Sequence, residues 1–144
     1  MDKKNSIMIS IEINPQTTFH YIQKIFSKEF PFLKLEFFTK AHTKKQASHK
    51  KDMIIHSDYK VGSFSSMAMD KVIVIHPNML VAELEKLFED KLHLHVQVFS
   101  KSGKVWLETI QNDTLSLQRL NDLSKERNIE IEEKNDPIDY HEQE

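Results

Sequence analysis

The fold is decided by residues 73–101, IVIHPNMLVAELEKLFEDKLHLHVQVFSK, because a diverged copy of this stretch stands at residues 11–40, IEINPQTTFHYIQKIFSKEFPFLKLEFFTK. Both copies hold a strand pattern, a proline, an apolar stripe with helical spacing and a second strand pattern, in that order. Corresponding residues lie 62 positions apart before the helix and 61 after it, as in Ile11 and Ile73, Pro15 and Pro77, and Phe38 and Phe99. We interpret this correspondence as an internal duplication.

The spacing of apolar residues defines the elements of each copy. Isoleucines at positions 7, 9, 11 and 13 alternate with other residues, which predicts a strand with one buried face. Asn14-Pro15 ends this strand and opens a helix, whose apolar stripe consists of Phe19, Ile22, Ile25 and Phe26. Two strands joined by a helix are expected to lie parallel, with a right-handed crossover.

The predicted fold class is α+β, with two β-α-β-β repeats related by a pseudo-twofold and a mixed sheet that carries its helices on one face. Repeat one covers about residues 7–69 and repeat two about residues 72–127, within a single duplicated domain of residues 1–128. In repeat two, the strand at residues 72–75 is apolar on both faces, which predicts a central strand covered on both sides. Whether the repeats share one sheet or form two stays open at this point.

Polar residues mark the ends of the remaining elements. Asn78 is predicted to cap a helix that runs to Leu92, and Asp113 to cap a last helix with an apolar stripe. That stripe consists of Leu117, Leu120 and Leu123. Residues 129–144 are rich in acids, so we expect a disordered tail there.

A hairpin near the end of repeat two fixes the positions of several aromatic side chains. The dipeptide Ser102-Gly103 predicts a two-residue turn, and its register sets Phe99 opposite Trp106 and His95 opposite Ile110. These four side chains lie on the face that the helices leave open. The other face of the hairpin is predicted to be helix-covered core and holds Leu94, Val96, Val98, Leu107 and Thr109.

Composition narrows the classes of function. The 144 residues carry a net charge of −2, so the whole molecule exerts no strong field on nucleic acid or on an anionic membrane. There is no cysteine, which excludes disulfides and thiolate sites and suits a reducing cytoplasm. No apolar run approaches the roughly 20 residues that a membrane-spanning helix needs. We therefore expect a cytoplasmic protein without a membrane partner.

The open face of the hairpin is the leading candidate for a binding surface. Phe38, Phe99, Trp106 and Ile110 are predicted to form an apolar patch that binds a protein partner or a second copy of the chain. The alternative is that residues 40–55 or 63–69 cover the patch within the monomer. The first hypothesis makes the protein a non-enzymatic interaction or assembly module.

Two weaker candidates come from charged and metal-binding side chains. A basic loop with Lys44, Lys45, Lys50 and Lys51 could contact phosphates, which gives a nucleic-acid binder as the alternative function. His93 and His95, two residues apart on one predicted strand, could hold a metal ion if a third ligand were near, which would allow a metal-dependent enzyme.

Recognised catalytic motifs are missing from the sequence. Its two glycines, Gly62 and Gly103, cannot build a phosphate-binding loop. Nucleophile-elbow and zinc-protease motifs are absent too. The sequence thus favours a non-enzymatic role and implies no cofactor.

The second copy resembles a known set of proteins. Residues 81–88, 96–99, 102–103 and 105–109 with Asp113 are similar to small bacterial duplicated α+β proteins to which no function is assigned. In the first copy, Phe30-Pro31 and residues 35–38 extend the similarity. The resemblance implies a cytoplasmic duplicated α+β protein, and it brings no activity, cofactor or catalytic residue.

Overall fold

The architecture is that of an α+β protein, given by a computed structural model that describes residues 8–39, 53–54, 58–109 and 114–134. Those residues form three α-helices and two antiparallel sheets. In chain order the elements are β1 (Ile9–Ile13), α1 (Phe19–Glu29), β2 (Leu33–Phe38), a 3₁₀ turn (Val61–Ser63), β3 (Lys71–Ile75), α2 (Val81–Leu92), β4 (His95–Ser102), β5 (Val105–Glu108) and α3 (Leu117–Lys134). The predicted fold class is therefore confirmed at the level of α+β.

Except for the β4–β5 hairpin, the strands pair between the predicted repeats instead of within them. β1 pairs with β3, and β4 lies between β2 and β5, all antiparallel. The predicted mixed sheet with parallel helix-linked strands was therefore wrong. The crossover rule applies to two strands of one sheet, whereas β1 and β2 belong to different sheets. The described residues thus form two sheets, and each sheet contains strands of both predicted repeats.

In each sheet, one pair of facing residues consists of a residue and its own counterpart in the other predicted repeat. In the first sheet Ile11 pairs with Ile73, which is its own counterpart in the second copy. In the second sheet Glu36 pairs with its counterpart Gln97. Neighbouring pairs are arranged symmetrically around these two positions, as in any antiparallel pairing.

Equivalent backbone hydrogen bonds recur where α1 and α2 begin. In repeat one, Phe19 N donates to Tyr59 O at 3.1 Å and Val61 N donates to Thr17 O at 2.7 Å. In repeat two, Val81 N donates to Leu115 O at 2.9 Å and Leu117 N donates to Met79 O at 2.9 Å. The 3₁₀ turn of repeat one thus occupies the place where α3 begins in repeat two.

The core lies between the two sheets and the helices. The inner faces of β1 and β3 contribute buried isoleucines, as the alternation in β1 predicted. Phe37 on β2 contacts both crossing helices, with ring centroids 4.7 Å from Phe19 and 5.7 Å from Phe88. The expectation that β3 is covered on both sides was wrong: Val72 is 53% exposed, because the two-stranded sheet has an open outer face.

The helix starts differ from the predicted caps. Thr18 caps α1, where its Oγ1 accepts a hydrogen bond from Tyr21 N at 3.1 Å. The helix therefore begins after Pro15 has already turned the chain. At α2 the N-cap is Leu80, not Asn78, and Leu80 N donates to Glu83 Oε1 at 2.8 Å.

The last helix is longer than predicted. Ser116 Oγ accepts from Arg119 N at 3.0 Å at its start, whereas Asp113 lies outside the described residues. α3 continues to Lys134, so the first part of the predicted disordered tail is helical, and residues 135–144 lie outside the described ranges. Across the part of the chain that the structure describes, no helix is both long enough and apolar enough to cross a membrane.

Candidate interaction face

The outer face of the sheet β2–β4–β5 carries the aromatic side chains that the sequence singled out. Its hairpin register differs from the prediction by two residues: Phe99 pairs with Glu108, and Trp106 pairs with Lys101. The turn lies at Gly103-Lys104, where Gly103 has a φ of +64°, a conformation that glycine adopts without strain. Because a shift of two positions keeps every side chain on its face, Phe99 and Trp106 still share the outer face.

Lys34 on β2 joins the two rings into one cluster. Its Nζ lies 5.6 Å from the centroid of Phe99 and 4.9 Å from that of Trp106. The same Nζ forms an ion pair with Glu36 at 3.2 Å. A lysine held against two aromatic faces is stabilised by the ring quadrupoles. We call Lys34, Phe99 and Trp106 the aromatic–lysine cluster.

The aromatic–lysine cluster lies outside the hydrophobic core. Phe99 and Trp106 are half-buried, and neither is part of the continuous core, which includes Val96 and Val98 on the opposite side of β4. The Lys34 side chain is 32% exposed. Among the described elements, β5 makes its substantial contacts with β4 alone. Further along the same face, Gln97 Nε2 donates to Glu85 Oε2 on α2 at 3.5 Å.

The other two members of the predicted patch, Phe38 and Ile110, are not part of the aromatic–lysine cluster. Phe38 stands on the same face but is only 2% exposed and forms an isolated bridge with Met53. It is therefore not available to a partner in this conformation, and the covered-patch alternative holds at this end of the face. Ile110 lies outside the described residues.

A buried glutamine at the centre of the face was not singled out by the sequence. Gln97 is 1% exposed, and its Nε2 donates to Thr109 O at 2.7 Å. Gln97 Oε1 and Thr109 Oγ1 are buried without a hydrogen-bond partner. Buried polar atoms of this kind are commonly satisfied by an enclosed water molecule. No periodicity signals such a residue, because glutamine in a strand is ordinarily solvent-facing.

The inner side of the hairpin is less covered than predicted. Leu107 was expected in the core but is 45% exposed, and its neighbour Val105 is exposed as well. The reason is that β5 is short and α3 packs mainly on β4. Arg127 on α3 reaches this side, where its guanidinium donates to Lys101 O at 2.8 Å.

A polar stripe on α3 holds the hairpin turn in place. Asn121 Oδ1 accepts from Phe32 N at 2.8 Å, and Ser124 Oγ donates to Lys101 O at 2.6 Å. Asn128 Oδ1 accepts from Gly103 N at 2.7 Å. All three side chains are buried. Apolar spacing does not reveal this stripe, because its members are polar.

The predicted metal pair does not share a strand. His93 is the residue that ends α2, in a left-handed conformation with φ of 53°, and β4 begins only at His95. Among residues 8–39, 53–54, 58–109 and 114–134, no three His, Asp or Glu side chains are grouped so as to hold a metal ion. Lys44, Lys45, Lys50 and Lys51 lie outside the described residues, so nucleic-acid binding stays a prediction.

Comparisons with protein-family models, with curated proteins and with solved structures found no match. The resemblance to small bacterial duplicated proteins therefore also stays a prediction.

Proposed function

We propose that this protein is a non-enzymatic interaction module that assembles through the outer face of the sheet β2–β4–β5. The observation that carries this proposal is the aromatic–lysine cluster, which holds two large, half-buried rings outside the core on the outer face of the sheet. Tryptophan and other aromatic side chains supply most of the binding energy in protein interfaces. A partner that covers these rings would remove apolar area from water, at about 25 cal/mol per Å².

The sheet gives the face a fixed shape. Phe99 lies on the middle strand, and its neighbours on both sides are set by backbone pairing with Lys34 and Glu108. The polar stripe of α3 fixes the hairpin turn beside Trp106. A preorganised surface loses little conformational entropy on binding, which favours its use as an interface.

The proposal includes the internal duplication and a cytoplasmic location. The pairing of Ile11 with Ile73 and of Glu36 with Gln97, together with the recurring hydrogen bonds at the helix starts, supports two repeats related by a pseudo-twofold. In this account the duplicated strands form the scaffold, and the added strand β5 supplies the tryptophan. The sequence without cysteine supports the reducing compartment.

The test compares two substitutions on β5 that point to opposite faces. Trp106→Ala removes the larger ring of the outer face, and Leu107→Ala removes an exposed apolar side chain from the inner face. Sedimentation velocity of the full chain at rising concentration measures association of the wild type and of both variants. We expect Trp106→Ala to weaken association about tenfold or more, as truncation of an interface hot spot does, and Leu107→Ala to leave it unchanged.

Urea unfolding of each variant separates loss of binding from loss of folding. Equal weakening by both substitutions, or no association of the wild type, contradicts the proposal. A Trp106→Ala chain that unfolds entirely would assign the ring to the core and would also contradict it.

A further inference from the structure

The hairpin turn sets two lysines beside the rings of the aromatic–lysine cluster. Lys101 pairs with Trp106 across the β4–β5 ladder, which places both side chains on the outer face. Lys104 is exposed in the turn itself. Within the described part of the chain, neither ammonium group forms an ion pair, whereas the Lys34 ammonium is held by Glu36 at 3.2 Å. The turn end of the outer face therefore carries positive charge that no described carboxylate pairs with.

A groove of about 500 Å³ opens between this turn and the last turns of α3. Phe32 and Ile131 give it apolar walls, and Lys101 and Lys104 line it as well. Glu132 also lines the groove, but among the described contacts it forms no ion pair with either lysine. An occupant of this corner thus needs carboxylates for the lysines and apolar side chains for the rings and the groove walls.

The chain itself continues from this corner with a segment of that composition. Residues 135–144, NDPIDYHEQE, hold four acids and no lysine or arginine. Ile138 and Tyr140 add apolar side chains at alternate positions, with an acid between them. The segment begins directly after Lys134, the last residue of α3. Its charge is therefore opposite to that of the unpaired lysines, and its apolar residues match the rings.

The helix α3 delivers this segment to the hairpin turn. Asn128 Oδ1 accepts from Gly103 N at 2.7 Å, and Ile131 Cδ1 would lie 3.7 Å from a Cβ atom on Gly103. Lys134 follows about 4.5 Å further along the helix axis. Pro137 opposes continuation of the helix, because it lacks the amide donor and disfavours helical backbone at the preceding residue. Ten extended residues span up to about 33 Å, which is more than the roughly 10 Å length of β5.

We propose that residues 135–144 cover the aromatic–lysine cluster of their own chain when no partner is bound, with their carboxylates on Lys101 and Lys104. Charge selects this place, because Glu130 and Glu133 on the exposed side of α3 repel an acidic segment and the two lysines attract it. Attachment to α3 gives the segment a local concentration of about millimolar. The segment thereby competes with the partner for the face, and this regulation rests on the proposed function.

The cover is expected to be partial and sensitive to salt. Surface ion pairs are individually weak, so we expect the cover in about two thirds of the molecules at low salt. Each face is then free in about one third of them, which weakens association of two copies through their faces about tenfold. Salt at about 1 M should release the cover, because screening then acts within about 3 Å.

Fluorescence of Trp106 reports the cover directly, because it is the only tryptophan of the chain. The wild type is compared at low salt and about 1 μM with a full-length tail variant that carries Asp136→Asn, Asp139→Asn and Glu142→Gln. Acrylamide should quench the tail variant about twofold to threefold more steeply, since a ring covered in about two thirds of the molecules becomes free in all of them.

A matched control removes the same number of charges away from the hairpin. Glu12→Gln, Asp70→Asn and Glu89→Gln neutralise three exposed acids outside the sheet β2–β4–β5. This control variant should be quenched as the wild type is. It separates loss of the cover from a general effect of net charge.

Charge exchange within one chain tests the contact itself. Lys101→Glu together with Lys104→Glu should free the ring as the tail variant does, because the segment then meets like charge. Addition of Asp136→Lys and Asp139→Lys to the same chain should restore the wild-type quenching to within about 1.5-fold, because each reversed position again meets an opposite charge. Urea unfolding should be the same for all these variants, since none changes a core residue.

The outcomes separate this inference from the proposed function. Unchanged quenching in the tail variant, an equal increase in the control, or no restoration by charge exchange overturns the cover and leaves the proposed function to its own test at Trp106. A difference between wild type and tail variant that vanishes on dilution to about 0.1 μM also overturns it, because an attached segment acts at any concentration.

Sedimentation velocity then measures the competition with the partner. The tail variant should associate about tenfold more tightly than the wild type, and equal association of the two overturns the competition. If neither chain associates up to about 1 mM, the proposed function fails, and the quenching comparison still decides whether the segment covers the ring.

Discussion

The two sheets are built alike on the inside and differ on the outside. Each pairs a strand with its counterpart from the other predicted repeat, and the inner faces of both contribute to one continuous core. The outer face of β1–β3 carries exposed Met8 and Val72 and no aromatic ring among its described residues. The outer face of β2–β4–β5 carries the aromatic–lysine cluster. The difference indicates that the inner faces determine the fold, and the outer face of β2–β4–β5 is the one to which we assign the proposed binding.

Truncation of side chains on the inner faces should cause the largest loss of unfolding free energy. It should destabilise both sheets together. Phe37→Ala on β2 and Ile73→Ala on β3 each remove a side chain that is 1% exposed. We expect a loss of about 3–5 kcal/mol for Phe37→Ala and about 2–5 kcal/mol for Ile73→Ala in urea unfolding, because each leaves a cavity in a packed core.

Native-state hydrogen exchange checks whether the core is shared. Ile73→Ala should lower the protection of amides in β4 as much as in β1, since all these strands pack on one core. Exchange that changes only in β1 and β3 would show that the sheets are independent and would contradict a shared core.

Loss of a polar contact from α3 should affect only the sheet that carries the cluster. Asn128→Ala removes the acceptor of Gly103 N and a donor to Lys101 O, at 2.7 and 2.9 Å. We expect a loss of about 1–2 kcal/mol, because a partly buried backbone amide loses its acceptor. The Gly103 amide should exchange faster, whereas Glu126→Ala on the exposed side of α3 should change neither quantity.

Substitutions at the two helix N-caps, which occupy equivalent positions in the predicted repeats, should have smaller effects on stability. Thr18 caps α1 through its side chain, and Leu80, 62 residues later, has no side-chain cap. Thr18→Ala should cost about 1 kcal/mol in urea unfolding, whereas Leu80→Ala should not lose a cap. Leu80→Thr should stabilise the chain by about 0.5 kcal/mol if the two helix starts are truly equivalent. Destabilisation by Leu80→Thr would count against that equivalence.

The smallest effect is expected on the outer face of β1–β3. Val72 is 53% exposed on a strand, and threonine is also β-branched, so Val72→Thr should change stability by less than about 0.5 kcal/mol. Association measured by sedimentation should not change either. Weaker association of this variant would move the interface to the other sheet.

Apolar spacing predicted the local elements well, because alternation and helical stripes report directly on burial. The alternating isoleucines of β1 and the stripe of α1 both face the core. Pairing between distant strands was not predictable in the same way. A helix of eleven residues between two strands usually signals parallel neighbours, yet here the two strands that α1 connects, β1 and β2, each pair with a strand of the other predicted repeat.

The candidate site was predicted in part. Phe99 and Trp106 were placed on the right face because side-chain direction alternates regardless of a two-residue shift. Lys34 was missed, since no local pattern reports a contact between β2 and a distant hairpin. The helical continuation of α3 to Lys134 was missed because acidic composition alone suggested disorder, whereas the buried Asn128 anchors the helix to the hairpin.

The most direct test of the interface is a dilution series of amide spectra by NMR. The full chain, labelled with ¹⁵N, is measured from about 1 mM down to about 10 μM, a range that covers self-association of micromolar to millimolar affinity. We expect the amide resonances of Lys34, Phe99, Trp106 and Glu108, and of their neighbours on the outer face, to shift with concentration. The resonances of β1 and β3 should not shift. Shifts centred on Val72 and Met8, or spectra identical at every concentration, would contradict the proposed interface.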